Sequence, residues 1–108
     1  MFAPKPLLEG KTIDNAAEDF RSAKKVEQYR AGKAALYLPE GLRWNYIPYS
    51  QILSAERSRR VISAGHCVTV REEKPAVDIH TENGLTTLNL EKRESMQILL
   101  DAIRAGQI

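Results

Sequence analysis

The clearest pattern along this chain is alternation of apolar and polar residues around a turn signal near the C-terminus. Ala76-Val77-Asp78-Ile79-His80-Thr81-Glu82 runs into Asn83-Gly84, and Leu85-Thr86-Thr87-Leu88-Asn89-Leu90 follows. An Asn-Gly pair between alternating segments favours a two-residue type I′ hairpin. Pairing outward from that turn sets Ile79 opposite Leu88 and Val77 opposite Leu90 on one face, with Asp78 opposite Asn89 and His80 opposite Thr87 on the other. A one-residue slip would mix the two faces.

The period then changes. Within Glu91 to Ala105, Met96, Leu99, Leu100 and Ile103 fall at i, i+3, i+4 and i+7, which predicts an amphipathic helix. Glu91 and Glu94 stand early, Arg104 late, and Gly106 occupies the place of a C-terminal cap. The Met96 stripe reads as core packing against a sheet.

Upstream, Lys25 to Arg30 reads as one strand, joined through Ala31-Gly32 to a second at Lys33–Leu38. Pro39-Glu40-Gly41 predicts a tight turn into Leu42–Ile47, where Leu42, Trp44 and Tyr46 form the core-facing set and Arg43 and Asn45 face solvent. Pro48 ends that strand and Tyr49–Ile52 turns a corner. Ser54–Ser63 and Cys67–Arg71 are extended, Glu72–Pro75 is a loop, and Asn15 with Glu18 forms a capping box for a short N-terminal helix within residues 14–23.

The expected fold is therefore mainly β with α: six to seven antiparallel strands in local hairpins, closed by one C-terminal amphipathic helix, with a short N-terminal helix. At 108 residues there is room for one domain, expected as a core over 24–105 behind an extension over 1–23. The opening Met leads us to expect a complete small protein.

Composition narrows the functional classes. Sixteen Lys and Arg against fourteen Asp and Glu give a net charge of +2, too balanced for a nucleic-acid-binding face. One cysteine excludes an internal disulfide and fits a reducing cytoplasm. The N-terminus is broken by Pro4, Lys5, Pro6 and Glu9, so no signal peptide is read there, and no apolar run approaches membrane-spanning length.

The candidate chemistry is sparse. His66 and Cys67 are neighbours, and on a strand they point to opposite faces, so a half-buried cysteine beside a loop histidine is the simpler reading than a nucleophile pair. Asp78 and His80 share a face at i, i+2, a spacing that suits a metal or a pKa shift but lacks further ligands; solvated polar residues explain it more simply. Phosphate loops, nucleophile elbows, C-x-x-C pairs and H-E-x-x-H are absent. No catalytic residue, metal or cofactor is assigned, and a small enzyme ranks last.

With the strand ending Tyr46-Ile47-Pro48-Tyr49-Ser50-Gln51-Ile52, the chain resembles a bacterial pleckstrin-homology-like (PH-like) or GRAM-like domain. Such domains leave their third strand through an I-P-aromatic-polar-x-I corner, and end in a hairpin and a capping helix. The resemblance implies a PH-like barrel and a non-catalytic binding or protein-interaction module. Its partner would be a protein or peptide, or a second copy of itself; no nucleic acid is expected. The alternative is peripheral binding to anionic membrane lipids. The residues for anion or partner contact are Lys24, Lys25, Arg30, Lys33, Arg57, Arg59 and Arg60. The family's lipid-binding R-x-R is missing from the first strands, and Arg57-Ser58-Arg59 carries that form after the corner instead.

Overall fold

A computed structural model of the chain describes residues 3–63 and 71–107, with the backbone alone for residues 62, 63, 71 and 72. Among the described residues eight strands form two sheets, accompanied by two α-helices. The first sheet has the order β1-β5-β4-β3-β2, from β1 (Lys5–Pro6), β2 (Lys24–Val26), β3 (Tyr29–Ala31), β4 (Ala35–Glu40) and β5 (Arg43–Pro48). The second holds β6 (Ser54–Ser63), β7 (Arg71–Thr81) and β8 (Gly84–Asn89). Helix α1 spans Ala16–Ser22 and α2 spans Arg93–Gly106. The strands from β2 to β8 pair antiparallel with their neighbours in each sheet, while β1 joins β5 in parallel. The two sheets are not closed into one continuous barrel. No helix among the described residues is long and apolar enough to cross a membrane.

Alternation along β4 and β5 divides the core in two. Leu36 opposite Ile47 faces the second sheet, where Val77, Ile79, Leu88 and Leu90 meet Leu99 and Ile103 of α2. Tyr37 opposite Tyr46 faces the other way, onto Phe20 of α1 and half-buried Trp44. Each buried aliphatic or aromatic side chain contributes roughly 1.5–3 kcal/mol. Ile13, Ala16 and Phe20 of the N-terminal extension thus cover a second, smaller core, while Leu8 joins the larger one.

The expected corner is present. Pro48 ends β5, Tyr49–Gln51 make a single 3-10 turn, and buried Ile52 precedes β6. Asp19 secures the neighbouring β3–β4 loop: its carboxylate accepts Lys33 N–H at 2.9 Å, Ala34 N–H at 3.4 Å and the Tyr37 hydroxyl at 2.7 Å.

Several expectations are corrected. The single strand over 25–30 is a tight hairpin, because Glu27 takes a left-handed conformation (φ 54°) and Val26 pairs with Tyr29. Leu42 lies outside β5 in the turn and is 99% exposed, since Gly41 (φ 61°) and Leu42, not Pro-Glu-Gly, make the reversal. Asn15 is itself left-handed (φ 56°) and makes no side-chain cap, which needs an extended N-cap backbone. Gly106 is the last residue of α2, not its cap.

The β7–β8 register moves by two residues: Val77 faces Leu88 and Asp78 faces Thr87. The hydroxyl of Thr81 accepts the Asn83 N–H at 3.3 Å, so Glu82-Asn83 turn the chain and Gly84 (φ 117°) opens β8. A two-residue shift preserves the faces, and the four apolar residues stay buried. The segment over 72–75 is strand, held by four of the ten register pairs between β6 and β7. His66, Cys67 and most of the 67–71 strand lie outside the described residues.

Candidate functional site

β6 and β7 outrun their neighbour. β8 ends where Asn89 faces Ala76, and the Leu90 N–H adds one more bond to the Pro75 carbonyl at 3.1 Å. Beyond Ala76, Arg59–Ser63 and Arg71–Pro75 continue as a two-stranded ribbon, and β6 is an edge strand throughout. A two-stranded ribbon presents unpaired backbone groups along its rims.

Directly opposite residues share a face. Arg57 lies opposite Val77 and Arg59 opposite Pro75, so both arginines lie on the face that carries the core, where Val77 is fully buried. Past the core this face becomes a groove of about 450 Å³ between the ribbon and the start of α2. Arg57, Arg59 and Glu73 come from the ribbon, and Arg93 and Met96 from α2. Arg57 Nη2 donates to Gln97 Oε1 at 2.5 Å, tying β6 to the helix. Arg59 meets Glu73 at 3.3 Å, an exposed pair of small worth. Four cationic side chains, including Lys74, thus border the groove around the one carboxylate of Glu73.

Arg60 takes no part in this groove. It and Lys74, its register partner, both pair with Glu91, Arg60 at 3.3 Å. The Lys74 hydrogen bond, helped by the charges of both cations, holds the Glu91 carboxyl below the usual carboxylate range. The clamp fastens the base of the ribbon to the β8–α2 connection.

The other expected contacts lie on the first sheet. Lys24 and Lys25 are exposed on its edge strand β2. Arg30 is half-buried, its guanidinium 4.5 Å from the Phe20 ring centre and 5.4 Å from that of Trp44, so it serves the smaller core. Lys33 is exposed in the β3–β4 loop. The seven basic residues therefore do not form one patch; only Arg57 and Arg59 share a groove. Arg93 and Lys74 were not singled out by sequence reasoning. Arg93 reads as an ordinary first-turn residue, and Lys74 fell in the segment expected to be a loop.

Asp78 and His80 lie on the outer face of β7, opposite in direction to buried Val77 and Ile79. Asp78 accepts the Thr87 hydroxyl at 2.9 Å across the strands. Among the described residues no group of three or more His, Cys, Asp or Glu could hold a metal ion.

Compared with known proteins, the chain matches no family model, no curated protein and no solved structure.

Proposed function

We propose that this chain is a PH-like domain acting as a non-catalytic interaction module, with the overhanging β6–β7 ribbon as its docking surface. The observation that carries the reading is the ribbon itself: an edge strand ten residues long, running past its sheet beside a cationic groove. Edge strands of this length recruit another extended segment unless something covers them. The PH-like reading is supported by element order: an antiparallel run from β2 to β5, a corner at Pro48, a three-stranded run and a terminal helix. The single cysteine favours work in the cytoplasm.

The test is selection from a random peptide library on the intact chain, followed by amide hydrogen exchange. Selected binders are expected to slow exchange along residues 54–63. Binders that protect only other faces would remove the ribbon from the function.

A second reading, peripheral attachment to anionic membranes, is favoured by one observation. At the β4–β5 tip the 99% exposed Leu42 stands beside half-buried Trp44, and Lys5 and Arg43 line the same cleft. Apolar and aromatic tips flanked by cations suit a membrane interface. Co-sedimentation with anionic vesicles, lost on Leu42→Asp, is the expected result; sedimentation equal for both chains would end this reading.

A further inference from the structure

The β6 edge has two natural occupants, a second copy of this chain or an extended segment of a different one. Charge decides between them. In an antiparallel strand pair the residues directly opposite share a face, so a two-fold pairing of β6 with another β6 must centre on a residue. Centred on Glu56 it sets glutamate against glutamate. Centred on Arg57, Arg59 or Arg60 it sets that arginine against itself. Centred on Ser58 it sets Arg57 of each copy against Arg59 of the other on the groove face, with Glu56 opposite Arg60 on the outer face. Every register through the middle of the strand therefore opposes at least one pair of like charges, whereas a partner with carboxylates opposite Arg57 and Arg59 opposes none on the groove face, which favours the second occupant.

We infer that the β6 edge takes an acidic extended segment of another protein, with carboxylates at alternate positions opposite Arg57 and Arg59. The inference rests on the reading of the ribbon as an interaction surface. The inner face of β6 presents Arg57, Arg59 and then Val61, which is 52% exposed. An antiparallel segment meets these in reverse order, so its inner face reads apolar-x-acid-x-acid from its N-terminus. Arg57 is available to a carboxylate because its bond goes to the neutral amide of Gln97. Among the described residues Arg59 pairs with the exposed Glu73, which an incoming carboxylate can replace without uncovering a buried charge. Arg93 adds positive potential from the helix side of the groove.

The test uses the intact chain and three capped, fluorescein-labelled peptides of one length. The first follows valine-x-glutamate-x-glutamate with threonine at each x. The second carries lysine for glutamate, and the third carries the first sequence with an N-methylated backbone on its pairing edge. Fluorescence anisotropy is expected to show saturable binding of the first alone. Arg57→Glu with Arg59→Glu should weaken it roughly tenfold or more, as the loss and reversal of two charge pairs implies. Lys24→Glu with Lys25→Glu, on the other sheet, should leave it unchanged. Arg57→Gln with Arg59→Gln serves as the milder variant if charge reversal impairs folding, which circular dichroism reports.

Binding of the lysine peptide as tight as that of the glutamate peptide overturns the acidic partner. If β6 amides are nevertheless protected in the complex, the ribbon still stands as the docking surface. Absence of binding by the glutamate peptide also overturns the inference, as does concentration-dependent dimerisation by light scattering that protects the β6 amides from hydrogen exchange.

Discussion

Gly106 lies flat against the ring of Tyr49, where a Cβ would come closer than 3.0 Å to Cγ, Cδ2 and Cε2. The contact joins the last turn of α2 to the corner between the sheets. Around it, the Tyr49 hydroxyl donates to the Gly32 carbonyl at 2.8 Å. Gln107 Nε2 donates to the carbonyls of Tyr49 at 3.1 Å and Ile52 at 2.8 Å. The helix end, the corner and the β3–β4 loop are thus one fastening.

A glycine-to-alanine change inside a helix ordinarily stabilises by up to about 1 kcal/mol. At Gly106 the sign should reverse. The ring of Tyr49 is fully buried and cannot withdraw, so overpacking should destabilise Gly106→Ala by about 1–3 kcal/mol. Tyr49→Phe keeps the ring and loses the bond to Gly32, at about 1 kcal/mol. Urea unfolding of the two variants checks both values; a stabilised Gly106→Ala would show that the ring yields.

Glu27 governs the start of the same helix. Its two carboxylate oxygens accept the N–H groups of Glu91 at 2.8 Å and Lys92 at 3.1 Å, just before the first turn of α2. These amides point along the helix start, where a negative charge is favoured. The residue holds a left-handed backbone to do so. Glu27→Ala should lose about 1–2 kcal/mol through the missing cap while keeping the backbone strain. Glu27→Gly loses the same cap but relieves the strain, so it should be about 1 kcal/mol more stable than the alanine variant. Equal melting temperatures for the two would show that the turn carries no strain.

That contact also marks where the sequence stops being legible. The C-terminal helix, the corner at Pro48 and the two faces of the last hairpin all follow from periods that a short window contains. Residues 25–30 misled because Glu27 is not a turn residue by type; its partners, Glu91 and Lys92, stand more than sixty positions away. The groove was half legible. Arg57 and Arg59 were visible as R-x-R, but Lys74 sat in a segment whose strand is imposed by pairing with β6. Arg30 was legible only as a charge, and its contact with the aromatic rings of Phe20 and Trp44 comes from the packing of α1 on the first sheet. The PH-like barrel that the resemblance implied depends on closure between sheets, which no local pattern reports.

Asp19 offers a test of the smaller core. Three donors converge on its carboxylate, two of them backbone N–H groups, and a Cβ at Gly32 would clash with it. Asp19→Ala should cost about 2–3 kcal/mol, because the Tyr37 hydroxyl and the loop amides lose their acceptor. Burial, with the Asp19 bond and charge, pushes the Tyr37 phenol well above its ordinary range. The variant should therefore ionise Tyr37 at lower pH than the parent, read by ultraviolet titration. An unchanged titration would mean that burial alone sets that shift.

The Glu91 clamp gives the ribbon a pH dependence with a definite sign. Its carboxyl is held below the ordinary value of 4.5 by Lys74 first and Arg60 next, so the folded state binds that proton less readily than the unfolded chain. The stabilising contribution is present above pH 4.5 and fades as pH falls through the lower folded-state value. Glu91→Gln should be slightly less stable than the parent near neutrality, and the gap should close in acid. Because Glu91 is exposed and screened, raising the salt concentration should also narrow the gap at neutral pH. Parallel thermal melts across pH settle the point: a gap that stays constant down to acid would mean that packing, not charge, links the ribbon to α2.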